Sequence, residues 1–180
     1  MRNIEMLVPD AGQTDAAALR EIDAGELARY VADPAYPWWR RRPCALALAG
    51  RVPEQHVAGL IARVRDPDDV AEVRIALLDL LAGRAELLPW LKHEDRENER
   101  SYGVPEAILK ARGMLGDRSA ARELATLATS PWQDWRAVGE AGLDALVTRY
   151  GGRRSWLISV TCGPRTASSA SGCGIVAERM

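Results

Sequence analysis

The sequence predicts an all-α protein, built as a short α-solenoid of about four stacked antiparallel helix pairs. Gly50, Gly83, Gly116 and Gly151 each close an apolar helical pattern, at intervals of 33, 33 and 35 residues. A fixed period near 33 residues is typical of helical repeats, in which each unit buries its apolar face against its neighbours. The apolar residues are mainly Leu, Ala and Val, and the absence of Phe suits closely packed helices better than a β-sandwich.

Composition and charge narrow the functional classes. The 180 residues are 47% hydrophobic and 27% charged, as expected for one soluble domain or short repeat array. A formal net charge of −1 lacks the strong basic balance of a dedicated nucleic-acid binder. No run of 18 apolar residues is present, and Cys44, Cys162 and Cys173 form no CxxC pair. We therefore expect a cytoplasmic protein with no metal and no cofactor.

The repeat domain is predicted at residues 19–151, after a lead-in over residues 1–18. Its first unit pairs a short helix near Glu26–Val31 with a longer one near Ala35–Ala49. The second unit has the clearest pattern, with one apolar stripe at helical spacing followed by a second helix that ends before Gly83. That stripe consists of Val57, Leu60, Ile61 and Val64.

The third and fourth units are less regular. A short helix near Ala85–Leu91 precedes a polar insertion over Lys92–Gly103, and a second helix follows from about Pro105 to Leu115. The mixed charges of the insertion indicate a solvated loop and lack the fixed spacing of metal ligands. The fourth unit pairs a helix over Asp117–Thr129 with a long helix from about Trp132 to Tyr150.

The apolar stripes define a predicted core. In the predicted array the second helices of the units, which carry Arg41, Arg74 and Arg136, lie towards one face and the first helices towards the other. The array is expected to curve in a right-handed sense. The predicted core residues are Leu27, Leu46, Val57, Leu60, Ile61, Val64, Val73, Leu77, Leu80, Leu81, Leu88, Ile108, Leu115, Leu124, Leu127, Val138 and Leu146.

The periodicity stops at residue 152. Residues 152–180 are rich in Ser, Thr, Gly and Cys and are predicted to form an irregular tail, either disordered or loosely capping the last unit. A frameshifted end is an alternative. A further alternative is a substrate segment resembling a lanthipeptide core, in which Cys162 and Cys173 would capture dehydrated Ser and Thr side chains.

Two units share an Asp-Pro turn followed by an Arg. Asp33-Pro34 precedes Arg41 just as Asp66-Pro67 precedes Arg74, with the same spacing and a shift of 33 residues. This pattern resembles HEAT repeats of the short bacterial type, also called PBS-lyase-like repeats, over roughly residues 20–151. The resemblance implies an Arg–acid ladder, in which the turn Asp and the second-helix Arg connect neighbouring units. Arg136 keeps the Arg position in the fourth unit.

The densest aromatic and basic cluster lies at residues 36–42. Trp38, Trp39, Arg40 and Arg41 are candidate binding residues, because Arg binds phosphates and exposed Trp rings stack on bases. The alternative is structural, with one Trp packed between helices and Arg41 in the ladder. Since adjacent residues on a helix point about 100° apart, we expect the two rings to differ in burial.

Residues near the start of the last helix resemble a second HEAT-like group, the AlkD-like DNA glycosylases. Those enzymes hold a damaged nucleotide between Trp and Asp side chains, which implies a role for Trp132, Asp134, Trp135 and Arg136 here. Adjacency argues against this role, because Asp134 and Trp135 are not expected to face one small pocket. The two Trp residues are expected to be core.

The predicted function is a non-enzymatic interaction scaffold that binds a protein or peptide on the concave face. No catalytic residues are predicted, and the candidate binding residues are Trp38, Trp39, Arg40, Arg41, Arg74 and Arg136. The alternatives are a nucleic-acid-binding protein or AlkD-like glycosylase and, third, a peptide precursor with a modified tail. No membrane association is expected.

Overall fold

A computed structural model describes residues 4–10, 12–93 and 99–150, and in these ranges the chain is all-α without a strand. Short 3₁₀ segments, Ala85–Leu87 and Arg118–Ala120, lead into two of the helices. The helices are α1 (Ile4–Leu7), α2 (Ala16–Glu21), α3 (Ala24–Ala32), α4 (Trp38–Ala47), α5 (Glu54–Arg65), α6 (Ala71–Leu80), α7 (Leu88–His93), α8 (Val104–Met114), α9 (Ala121–Ala128) and α10 (Gln133–Arg149).

The helices pack in consecutive pairs. Helix α3 contacts α4, α5 contacts α6, α7 contacts α8 and α9 contacts α10. The second helices of the pairs also contact one another in order, α4 with α6, α6 with α8, and α8 with α10. This arrangement confirms the predicted all-α class with repeat-like helical packing, while the α-solenoid and its right-handed curvature stay predictions.

Local signals set the helix boundaries. Asp23 caps α3, because its Oδ1 accepts a hydrogen bond from the Glu26 backbone N–H at 2.9 Å. Gly50 and Gly116 have φ of +75° and +83°, a left-handed conformation that glycine adopts without steric cost and that ends a helix. The predicted tail, including Gly151, lies outside the described residues.

The predicted lead-in contributes to the core. Ile4 and Val8 are buried in the same apolar cluster as Leu27 and Leu48, and α2 contacts α4. Helix α1 and helix α2 therefore cover the apolar end of the first pair.

The buried residues fall into two clusters that meet at α8. The larger cluster runs from the N-terminal helices to α8, where it includes Val104 and Ile108. The smaller cluster is centred on α9 and α10 and includes Leu109, which points about 100° away from the adjacent Ile108 on α8. Helix α8 therefore carries side chains that belong to both clusters.

Most of the predicted core is buried, with one clear error. Leu46 is wrong, because its side chain is 51% exposed. It lies two helical turns after Trp39 on α4, so both residues point to the same side of the helix, away from the packed interior. Four further members of the predicted core, Leu80, Leu88, Leu115 and Val138, are only partly buried.

None of the described helices is long and apolar enough to cross a membrane.

Candidate functional site

Arg41 is buried and connects the first pair of helices to the second. Its guanidinium is bidentate on the Asp69 carboxylate, with Nη1–Oδ1 and Nη2–Oδ2 distances of 2.8 and 2.6 Å. Its Nε donates to the Val31 carbonyl at 2.9 Å. Because only 2% of Arg41 is exposed, this side chain is occupied inside the fold and is not accessible to a partner.

Arg74 repeats this arrangement one unit later. Its Nε donates to the Val64 carbonyl at 3.0 Å, and its Nη2 donates to Glu99 Oε2 at 2.6 Å. Glu99 lies near the end of the polar insertion. Two residues later, the Ser101 hydroxyl oxygen also accepts a hydrogen bond from Arg74. Arg74 is 1% exposed, so it too is structural, and it fixes the end of the insertion to the repeat.

The acids of the Arg–acid ladder are not the predicted ones. Asp33 and Asp66 accept hydrogen bonds from backbone N–H groups two residues later, at 2.9 and 3.0 Å, and so stabilise their own turns. The acid that pairs with Arg41 is Asp69, three residues beyond Asp66. Burial raises the pKa of Asp69, but the hydrogen bonds and charge of Arg41 outweigh that effect and leave the pKa below its ordinary value.

Arg136 does not extend this ladder. It is exposed on the first turns of α10, in contrast to the buried Arg41 and Arg74.

Helix α10 packs closely on α8 and α9 at three buried glycines, Gly113, Gly139 and Gly142. A Cβ on Gly113 would lie 2.7 Å from the Gly142 carbonyl oxygen, and one on Gly139 would lie 2.7 Å from the Leu124 carbonyl oxygen.

Trp38 and Trp39 do not differ in burial as expected. They are 39% and 44% exposed and meet edge to face with their ring centroids 6.2 Å apart. The Trp39 indole donates to Asp10 Oδ1 at 3.4 Å, and Arg40 bonds the same carboxylate at 2.9 Å. Arg40 and Trp39 therefore attach the N-terminal segment to α4. The rings of Trp38 and Trp39 both keep an accessible surface.

A cleft of about 170 Å³ lies where α6, α8 and α10 meet, and we call it the α6–α8–α10 cleft. Its floor and walls are mostly apolar, from Ile75 on α6 and from Trp135 and Val138 on α10. Tyr102, which is 81% exposed, stands beside Trp135 with ring centroids 6.4 Å apart and a 40° angle between the planes. Gly103, with φ of +79°, turns the chain between Tyr102 and α8.

Charged side chains surround this cleft. Asp79 and Lys110 form an ion pair of 2.9 Å, and Glu106 and Asp134 contribute two further carboxylates. Three carboxylates and one ammonium group give the lining a formal charge of −2. The cleft is thus an apolar and aromatic recess with an acidic lining, formed by three successive second helices and the end of the insertion.

The expectation that Asp134 and Trp135 do not face one pocket is wrong, since both line the α6–α8–α10 cleft. Adjacent positions of α10 thus contribute to one cleft, although their side chains leave the helix about 100° apart. Trp132 is 67% exposed and does not line the cleft, so its predicted core position is also wrong.

Sequence reasoning missed most of this cleft. Ile75 and Asp79 are four residues apart on one helix, as Glu106 and Lys110 are on the next, a spacing that places each pair on one helix face. That signal was present, but it does not tell which helices lie side by side.

No metal site is formed by the described residues, among which no group of three or more His, Cys, Asp or Glu residues could hold an ion. No protein-family model, curated protein or solved structure shows a significant match to the chain. The resemblance to HEAT repeats therefore stays a prediction from the sequence motif.

Proposed function

We propose that the protein is a non-enzymatic interaction scaffold that binds a protein or peptide segment on the second-helix face. This face is the outer surface of α4, α6, α8 and α10, represented by Leu46, Ile75, Lys110 and Trp135. Leu46 belongs to it because a shift of 33 residues superposes Leu46 on Asp79, which lines the cleft.

The observation that carries this proposal is the α6–α8–α10 cleft. An apolar recess with aromatic walls and a charged rim has the anatomy of a protein-recognition pocket, in which a few aromatic residues supply most of the binding energy. Leu46 and Trp39 extend apolar surface along the same face towards the N-terminus, and their exposure has no role in packing the core.

A peptide library tests this function. Random peptides displayed on phage are selected against the immobilised full chain, and the enriched peptides are then measured in solution by fluorescence anisotropy. We expect Trp135→Ala to weaken binding about 30-fold, which corresponds to the ~2 kcal/mol of an aromatic hot spot.

Trp132→Ala is the matched control, because it removes the same kind of side chain from the start of the same helix but outside the cleft. Affinity should change less than about threefold, and circular dichroism checks that both variants stay folded. The proposal fails if no peptide is enriched, or if the two variants weaken binding equally.

A nucleic-acid function is a second candidate, favoured by the shared cleft of Asp134 and Trp135. The acidic lining of the cleft and the burial of Arg41 and Arg74 oppose it, because phosphate binding needs accessible cations. A gel shift with duplex and single-stranded DNA at low salt, with and without Trp39→Ala, tests it. Absence of any shift eliminates this candidate.

A further inference from the structure

We infer that the α6–α8–α10 cleft takes an arginine side chain of the partner, with the guanidinium over an aromatic ring and its charge matched by the acidic lining. The inference rests on the proposed function, since it names the group that a bound segment would insert. It commits to an arginine-containing peptide as the occupant.

Size favours a single side chain. The cleft volume of about 170 Å³ is roughly that of six water molecules, at about 30 Å³ each. Pockets for drug-sized molecules span about 300–1,000 Å³, so this recess is too small to enclose one. It suits one long side chain that projects from a segment lying across the face.

The rings favour a flat cation. Tyr102 and Trp135 have centroids 6.4 Å apart at an angle of 40°, whereas a planar group between two parallel rings needs about 7 Å, twice a van der Waals contact. A guanidinium therefore stacks on the face of one ring and meets the other at its edge. Arg stacks on aromatic faces in this way, while the ammonium of Lys is a compact, strongly hydrated charge.

Charge complementarity favours a cation over a neutral group. Lys110 neutralises Asp79 in an ion pair at the cleft, and the exposed Asp134, on the first turn of α10, also lines it. The Asp134 carboxylate lines the recess, so a positive side chain gains Coulomb energy there and an anionic one is repelled. Asp134 also offers two carboxylate oxygens to the two terminal nitrogens of a guanidinium.

Nuclear magnetic resonance measures the binding of an arginine side chain beside Trp135. The chain has six Trp residues, each with one indole N–H signal, and Trp135→Phe and Trp132→Phe assign two of them. The ¹⁵N-labelled full chain is titrated with N-acetyl-arginine methylamide, and separately with the norleucine and glutamate analogues. We expect the arginine compound to shift the Trp135 signal with millimolar affinity, at least fivefold tighter than the norleucine compound.

Matched charge variants separate the acidic lining from general attraction. Asp134→Asn should weaken arginine binding about threefold to tenfold and leave norleucine binding unchanged. Asp144→Asn removes an exposed carboxylate from the same helix outside the cleft and should change arginine binding less than twofold.

The outcomes distinguish this inference from the proposed function. Equal shifts with arginine and norleucine compounds, or no difference between Asp134→Asn and Asp144→Asn, overturn the arginine inference. If library peptides without arginine still bind in a Trp135-dependent manner, the scaffold function stands and the inference falls. If no library peptide binds at all, the proposed function falls with it.

Discussion

Replacing Asp69 by Asn tests whether the Arg41–Asp69 pair holds neighbouring units together. The change keeps the shape of the side chain but removes the charge opposite a guanidinium that is 2% exposed. Breaking one side of a buried ion pair costs about 3–5 kcal/mol, because the remaining charge stays buried without its partner. We expect about 3 kcal/mol, the lower end, since the Asn carbonyl still accepts one hydrogen bond and Val31 keeps the Nε bond.

The assay is urea unfolding at pH 7, followed by circular dichroism. With an m-value of about 2 kcal/mol/M for a chain of this size, a loss of about 3 kcal/mol lowers the midpoint by about 1.5 M urea. Asp66→Asn is the control, because Asn can form the same turn as Asp. The ion pair of Asp66 with Arg63, at 3.1 Å, is partly exposed, so its loss costs little. Its cost should stay below about 1 kcal/mol.

A double replacement tests whether the lost stability comes from the unpaired charge of Arg41. Arg41→Met combined with Asp69→Leu removes both charges and leaves apolar groups of similar size, so it should recover most of the loss caused by Asp69→Asn. The reasoning is refuted if Asp69→Asn and Asp66→Asn cost the same, or if the double variant is less stable than Asp69→Asn alone.

Three further predictions concern the glycines, acid stability and a thiol. Gly139→Ala should lower the free energy of unfolding in urea by about 1–3 kcal/mol, because the added Cβ meets the α9 backbone, which outweighs the higher helix propensity of Ala. Gly59→Ala has open space around its added Cβ and should raise the free energy of unfolding by about 0.5–1 kcal/mol. Equal effects of the two variants would contradict this reasoning. The pKa values of Asp69 and Glu99 in the folded protein lie below their ordinary values of 3.8 and 4.5. The two carboxylates therefore stabilise the fold fully above those ordinary values, and this stabilisation is lost as the pH falls through the lower pKa values of the folded protein. Acid titration should therefore show a steep loss of stability below about pH 4 that is shallower in Asp69→Asn. Burial raises the pKa of the Cys44 thiol to about 12, so peptide mapping after iodoacetamide at pH 8 should find Cys44 labelled only when urea unfolds the chain.

The fold could be predicted because its signals are local and periodic. The spacing of Arg41 and Arg74 after their Asp-Pro turns identified the two Arg residues that the packing buries. The partner acid was misassigned because Asp66 is taken up by its own turn, and only the contact between α4 and α6 brings Asp69 to Arg41. A sequence pattern cannot show which of two nearby carboxylates is already occupied.

The candidate site was harder to predict for a different reason. Leu46 fits an apolar helical pattern as well as any core residue, and only the placement of neighbouring helices shows that its side of α4 stays uncovered. Likewise, Tyr102 and Trp135 are far apart in sequence, and the cleft between them exists only after α8 and α10 have packed at their glycines. Tertiary contacts, rather than any single motif, make the site.

The division of the apolar interior at α8 has a consequence for ligand binding. Ile75 packs against the N-terminal cluster, whereas Trp135 and Val138 pack against the C-terminal one, and all three line the same cleft. A ligand seated there contacts side chains that pack against both clusters. Binding should therefore protect backbone amides on both sides of α8 from hydrogen exchange, because the bound state must unfold or release its ligand before these amides open.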